Sequence, residues 1–228
     1  MRKQLFSIMG IGFVSGLFIG GGNVFAADAT GSANPATDNT PITAELASPT
    51  DVVNPDVPGN EKPNNPTGNF GIAYTPAALN FSGELKTGAM TLPDVSGNST
   101  HIGVKDTTFS NKGWDLTAKI NWQNAIDGAT IKMNVGTVKE NTNNGVDAFT
   151  PSDLVTLGSD LTGAFTTPSA SVTLNNSPVN VIEAEDNFVY TGTYDVELSN
   201  ISLEIADGSK VVAGTYTGAI DWNLALKP

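Results

Sequence analysis

The chain is 228 residues long, enough for one sizeable domain with extensions, and carries 23 acidic against 11 basic residues for a formal charge of −12. So acidic a balance argues against nucleic acid and against anionic lipid surfaces as partners. With no cysteine, thiol chemistry, thiolate metal sites and a disulfide framework are excluded, and a secreted chain of this kind must rely on a packed core.

Met1-Arg2-Lys3 is basic, Leu5 to Ile19 is apolar and rich in glycine, and Val24-Phe25-Ala26 offers a step small enough for signal peptidase. Residues 1–26 are therefore expected to be a secretory signal peptide cut after Ala26, the apolar run being short for a bilayer span. Without them, 9 basic and 23 acidic residues remain, a formal charge of −14. No second apolar stretch long enough to span a membrane follows, and the end, Leu224-Ala225-Leu226-Lys227-Pro228, shows no sorting-type Leu-Pro-x-Thr-Gly sequence. If the protein stays on its cell, the expectation is that something non-covalent holds it there.

Residues 27–69 contain seven of the thirteen prolines (Pro35, Pro41, Pro49, Pro55, Pro58, Pro63 and Pro66), with Asn, Thr, Asp and Gly filling much of the rest. Such a segment has too little apolar surface to offset its ordering entropy and reads as a disordered, partly extended spacer. A proline-rich docking peptide is disfavoured because no tight Pro-x-x-Pro core with flanking basic residues is present.

From Phe70 onward, expected to be one domain over 70–228, short apolar alternations predict strands. They cover Phe70–Tyr74, Leu79–Leu85, Ile102–Lys105, Trp114–Trp122 and Ala129–Val135, the last behind an Asp127-Gly128 turn that suggests a hairpin with the strand before it. Asp153 to Leu161 reads as a short strand or a helical turn. Ala170–Leu174, Val179–Ala184, Asn187–Leu198, Ile201–Ile205 and Tyr216–Leu224 alternate again. No stretch has helical periodicity, so the fold class is all-β, an antiparallel sandwich or barrel-like domain behind the spacer. Tyr190 to Leu198 echoes Tyr216 to Leu224 at Tyr, Thr, Gly, Asp and Leu, suggesting two like strands lying near one another. Charge is uneven: six lysines balance six acids between Phe70 and Glu140, whereas eleven acids face only Lys210 and Lys227 beyond it.

Two stretches stand out. Trp114, Leu116, Ala118, Ile120 and Trp122 alternate with Asp115, Thr117, Lys119 and Asn121, and Tyr216, Gly218, Ile220, Trp222 and Leu224 alternate in the same way near the other end. Each carries Trp-x-Leu on one strand face, and together they hold every tryptophan of the chain. Trp114 and Trp222 are in register with aliphatic neighbours, as core side chains are. Exposed rings would instead stack on sugars or anchor an interface.

Other candidates are bland. His101, the only histidine, has no second histidine or cysteine for a metal site or triad and reads as a solvated loop residue. Glu183, Glu185 and Asp186 lack the spacing and turn glycine of a calcium loop and read as a solvated turn. No acid stands out in an apolar setting of the kind a glycosidase needs. Neither an enzyme nor a cofactor is expected, and no metal ligands are assigned.

Gly113-Trp114-Asp115-Leu116-Thr117-Ala118 resembles the proximal motif, and Tyr216-Thr217-Gly218-Ala219-Ile220-Asp221-Trp222-Asn223-Leu224 the distal motif, of the WxL-domain surface proteins of low-GC Gram-positive bacteria. The layout of signal peptide, spacer and strand-rich domain is similar to that of the family's small, single-domain members, although Lys227-Pro228 replaces the Asp/Ala-Pro type of ending expected there. The resemblance implies a non-catalytic cell-surface protein held non-covalently to peptidoglycan in the cell wall. It further implies work within a multi-protein surface complex that includes a companion recognising the domain. The motif residues Trp114, Leu116, Tyr216, Trp222 and Leu224 are carried over as binding candidates. The alternative reading is a secreted adhesin or lectin-like module for a host protein or glycan.

Overall fold

The computed structural model describes residues 39–50, 53–97, 99–169 and 171–228; the expected signal peptide and the first part of the expected spacer lie outside them. Residues 39–45 carry no strand and are exposed. The unit that begins at Leu46 is built from strands that are, in chain order, β1 (Lys62–Pro63), β2 (Phe70–Thr75), β3 (Met90–Pro93), β4 (Ser99–Asp106), β5 (Trp114–Trp122), β6 (Ala129–Val135), β7 (Lys139–Asn141), β8 (Leu154–Thr156), β9 (Phe165–Thr166), β10 (Val172–Leu174), β11 (Val179–Ala184), β12 (Gly192–Ile205) and β13 (Gly218–Leu226). Single 3₁₀ turns lie at Pro151–Asp153, Ser159–Leu161 and Gly208–Lys210.

All pairings are antiparallel, and they form two sheets packed face to face around one core. The larger has the order β1-β2-β4-β12-β6-β10, with β3 and β7 also paired to β12 and β8 to β7; the smaller has the order β13-β5-β11-β9. This is the sandwich of the two expected architectures.

The long strand β12 is the spine of the larger sheet. The sequence suggests two separate alternations, 187–198 and 201–205, because the apolar phase changes from Tyr194, Val196 and Leu198 to Ile201, Leu203 and Ile205. A register shift against β6 between Ser199 and Ser202, with Asn200 at φ +50°, absorbs the extra residue. Such a bulge keeps both apolar sets on the core face of one continuous strand, and all six are buried. The echo of Tyr190 to Leu198 in Tyr216 to Leu224 does not make neighbours of them: β12 and β13 belong to different sheets.

Two further expectations change. The Asp127-Gly128 turn forms with Gly128 at φ +68°, but it joins β5 of the smaller sheet to β6 of the larger, so it crosses the sandwich and closes no hairpin. Leu79 to Leu85 makes only an isolated bridge, Phe81 to Asp94, while Met90–Pro93 pairs with the second half of β12.

Sequence composition starts the packed domain at Phe70, yet the chain from Asn54 to Asn69 already lies against the larger sheet. Lys105, 1% exposed on β4, donates through Nζ to Asn54 Oδ1 and to the Pro66 carbonyl, each at 2.7 Å. Glu61 Oε1 accepts from Thr100 Oγ1 at 3.0 Å and from the His101 amide at 2.9 Å, and Asn141 Nδ2 donates to the Asp56 carbonyl at 3.1 Å. These bonds are polar, so a count of apolar residues does not register them. Tyr74 lies flat over Gly103, where any Cβ would overlap its ring.

A cluster of aromatic rings joins the two sheets. Trp114 of β5 packs against Phe165 at 5.8 Å and Tyr190 at 6.4 Å between ring centroids, and Phe165 meets Tyr194 of β12 at 4.8 Å. Tilted and edge-on pairs of this kind add about 0.5–1.5 kcal/mol each beyond area burial. Trp114→Ala is expected to lower unfolding free energy by about 3–5 kcal/mol, measured by urea denaturation followed by circular dichroism. An unchanged midpoint would remove Trp114 from the core of this account.

Candidate functional site

The two Trp-x-Leu strands lie side by side. In the β5–β13 ladder Trp114 faces Leu226, Leu116 faces Leu224, Ala118 faces Trp222, Ile120 faces Ile220 and Trp122 faces Gly218. Residues directly opposite one another share a sheet face, so both motifs place their large side chains on the core side. Their burial is unequal. Trp114 and Leu116 are completely buried, whereas Tyr216, Ile220, Trp222 and Leu224 are half-buried and Leu226 is 52% exposed. The cause is position: β5 is flanked by β11 and β13, but β13 is the outermost strand and, among the described residues, pairs with β5 alone.

Of the five motif residues, then, Trp114 and Leu116 have no surface to offer a ligand. Tyr216, Trp222 and Leu224 keep some accessible apolar surface along the sheet margin. The Tyr216 hydroxyl donates to the Val212 carbonyl at 2.7 Å, which fixes the ring at the entry to β13.

The start of β5 and the end of β13 are pinned together at Gly113. A side chain there would overlap the Ala184 carbonyl oxygen, so only glycine admits this approach. The Gly113 amide donates to Asp186 Oδ1 at 2.7 Å, and its carbonyl accepts from the Lys227 amide at 2.9 Å. Lys227 Nζ donates to Glu183 at 2.7 Å and to Glu185 at 3.0 Å. Burial opposes the charge on Lys227, but these two carboxylates outweigh it and push its pKa upward. Burial likewise raises the pKa of neighbouring Asp115, which the Lys227 charge counteracts. The acidic run 183–186, read from sequence as a solvated turn, is thus the clamp that holds the C-terminal strand, and Lys227 is its counter-charge.

A family model described as "WxL domain surface cell wall-binding" matches residues 25–228. The chain belongs to the WxL family. No curated protein and no solved structure matches it. Membership makes this a surface protein of the cell wall, as the motif resemblance implied. Among the described residues no helix is long and apolar enough to cross a membrane.

A second polar centre of the WxL domain lies on the outer face of the larger sheet, and sequence reading missed it. His101 is not a solvated loop residue. It sits in β4 with its side chain 17% exposed, and Nδ1 meets the Asp195 carboxylate at 3.0 and 3.1 Å. Asp195 is 1% exposed and also accepts from the Tyr74 hydroxyl at 2.8 Å, which in turn accepts from Asn141 Nδ2 at 3.3 Å. Alternation across β4 and β12 would have placed 101 and 195 on one face, but the sequence does not say that these strands pair.

Burial works against a positive charge on His101, yet the Asp195 hydrogen bond and the charges of Asp195, Glu61 and Glu197 prevail, and its pKa is raised. Burial and Asp195 together drive the Tyr74 pKa far upward, keeping the phenol a donor. A raised histidine pKa gives stability that is complete below the unfolded value of about 6.5 and is lost as pH climbs through the folded one. Urea unfolding of the wild type and His101→Gln should therefore differ more near pH 5.5 than near pH 8.5. An equal gap at both would show that folding leaves the proton affinity of the imidazole unchanged.

Proposed function

We propose that this WxL domain attaches its chain to the wall by binding peptidoglycan directly and without covalent linkage, with no catalytic role. The surface complex it works in includes a companion protein that recognises the domain. The observation that carries the reading is the β13 margin, where Tyr216 just before the strand and Trp222 and Leu224 on it keep apolar surface accessible, and where β13 has no outer neighbour among the described residues. Half-exposed aromatic rings stack on sugar faces, and an edge strand presents unpaired backbone donors and acceptors to a polar polymer. The clamp around Gly113 and Lys227 holds that edge rigid, so a ligand meets a preorganised surface.

Catalysis has little support. His101 is tied to Asp195, and among the described residues neither side chain has a serine, threonine or cysteine hydrogen-bonded to it as a nucleophile. Glu183 and Glu185 are both ion-paired with Lys227.

The test is co-sedimentation of residues 27–228 with peptidoglycan stripped of proteins and teichoic acid. The wild type should pellet, and Trp222→Ala should remain folded by circular dichroism while most of it stays in solution. If the folded wild type stays in solution, direct peptidoglycan binding is wrong and a protein partner carries the attachment. If Trp222→Ala pellets like the wild type, the β13 margin is not the contact.

A further inference from the structure

Beside the Tyr74–Asp195–His101 network the outer face of the larger sheet opens into a cavity of about 380 Å³. Its polar lining follows from strand register. Asp195 stands opposite Lys139 of β7, and Glu197 stands opposite His101 of β4. Opposed residues share a face, as do residues two apart on one strand, so all four side chains project to the same side. Leu154 and Pro151 close one wall with apolar surface.

Within this set, one ion pair is already made. Asp195 is spent on His101 and Tyr74, and its burial fixes the imidazole with Nδ1 turned inward. Three groups remain without a hydrogen bond or ion pair among the described residues: His101 Nε2, the Lys139 ammonium and the Glu197 carboxylate. Lys139 and Glu197 line one cavity without bridging to each other. A protonated imidazole and an ammonium donate, and a carboxylate accepts. Their complement is a small ligand that carries a free carboxylate and a free ammonium, with enough aliphatic surface to lie against Leu154. A volume of a few hundred Å³ suits a group of about dipeptide size.

We infer that this cavity is a subsite for the free carboxylate and ammonium groups of a wall peptide stem, with His101 and Lys139 binding the carboxylate and Glu197 the ammonium. The inference rests on the reading of the protein as a peptidoglycan binder and adds the peptide to the glycan as a recognised part of the wall. The site is on the larger sheet, whereas the β13 margin belongs to the smaller one, so the two contacts are separable. Binding weakens as pH rises and the imidazole loses its proton, in the field of Asp195, Glu61 and Glu197 on one side and Lys139 on the other.

His101 is the only histidine of the chain, so one imidazole resonance in the NMR spectrum reports directly on the cavity. The mature protein is titrated with a synthetic stem peptide that has a lysine side chain and a free C-terminal D-Ala-D-Ala, and separately with its C-terminally amidated form and with chitotetraose. The free-acid peptide should move the His101 resonance saturably. Amidation should weaken binding roughly tenfold or more, as should Lys139→Gln or Glu197→Gln, since each removes a charge-assisted hydrogen bond. Both substitutions are at exposed positions, so folding is not at risk. Equal binding of acid and amide overturns the proposal, as does no shift with either peptide or a shift with chitotetraose alone. Co-sedimentation of the same proteins with peptidoglycan separates the two readings: a wild type that pellets but ignores the peptide refutes this subsite and leaves wall binding intact.

Discussion

Trp114 stands where the two sheets meet, and the rings packed upon it hold the rest of the sandwich in register. Its ring neighbours come from separate places in the chain, Phe165 from the short strand β9 and Tyr190 from the approach to β12, and Tyr194 of β12 packs on both of these. The Tyr190 hydroxyl donates to the Glu185 and Ala164 carbonyls at 2.6 and 3.1 Å, which ties the cluster to the end of β11. The indole Nε1 and Asp106 Oδ2 are both buried without a hydrogen-bond partner among the described residues, and burial raises the Asp106 pKa against the two hydrogen bonds that Thr108 donates to Oδ1. A chain without disulfides concentrates its long-range cohesion in such a cluster, because nothing covalent fixes the two sheets to each other.

From that constraint the division of labour between the two Trp-x-Leu strands follows. The first lies between two neighbours and buries its tryptophan entirely; the second closes the sheet from outside and leaves its tryptophan half-covered. The tryptophan and leucine of the same three-letter pattern are thus wholly buried in one strand and keep accessible surface in the other. Lys227 completes the arrangement by bridging the two carboxylates beneath the C-terminal strand. A lysine in place of the Asp/Ala type of residue expected there is accounted for by the acids it meets on β11 and just beyond it.

Much of this was legible in the residues. Period-two alternation marks β5, β6 and β13 well because each turns one face to the core, and the paired motifs carried the family membership. Other features were hidden for physical reasons. Met90 and Leu92 are too few to signal β3, whose pairing with β12 depends on a strand more than a hundred residues away. The phase change at Asn200 looks like a strand end unless a bulge is assumed. The ordered stretch from Asn54 to Asn69 is held by Lys105, Glu61 and Asn141, side chains whose partners are backbone and amide groups, so composition alone reads it as solvated. His101 looked solitary because its partners, Asp195 and Tyr74, come from other strands. The site was the least legible part: burial distinguishes Trp114 from Trp222, and burial here is a property of strand order, which no local pattern encodes.

The first motif tryptophan is core, and the second is the proposed contact with the wall. Acrylamide quenching of proteins that retain one tryptophan each, the others replaced by Phe, tests this most directly, in the absence and presence of purified peptidoglycan. Trp114 should resist quenching in both conditions, while Trp222 should be quenched in the free protein and protected once peptidoglycan is bound. Ready quenching of Trp114 in the folded free protein, or no protection of Trp222 in the bound one, would contradict the account.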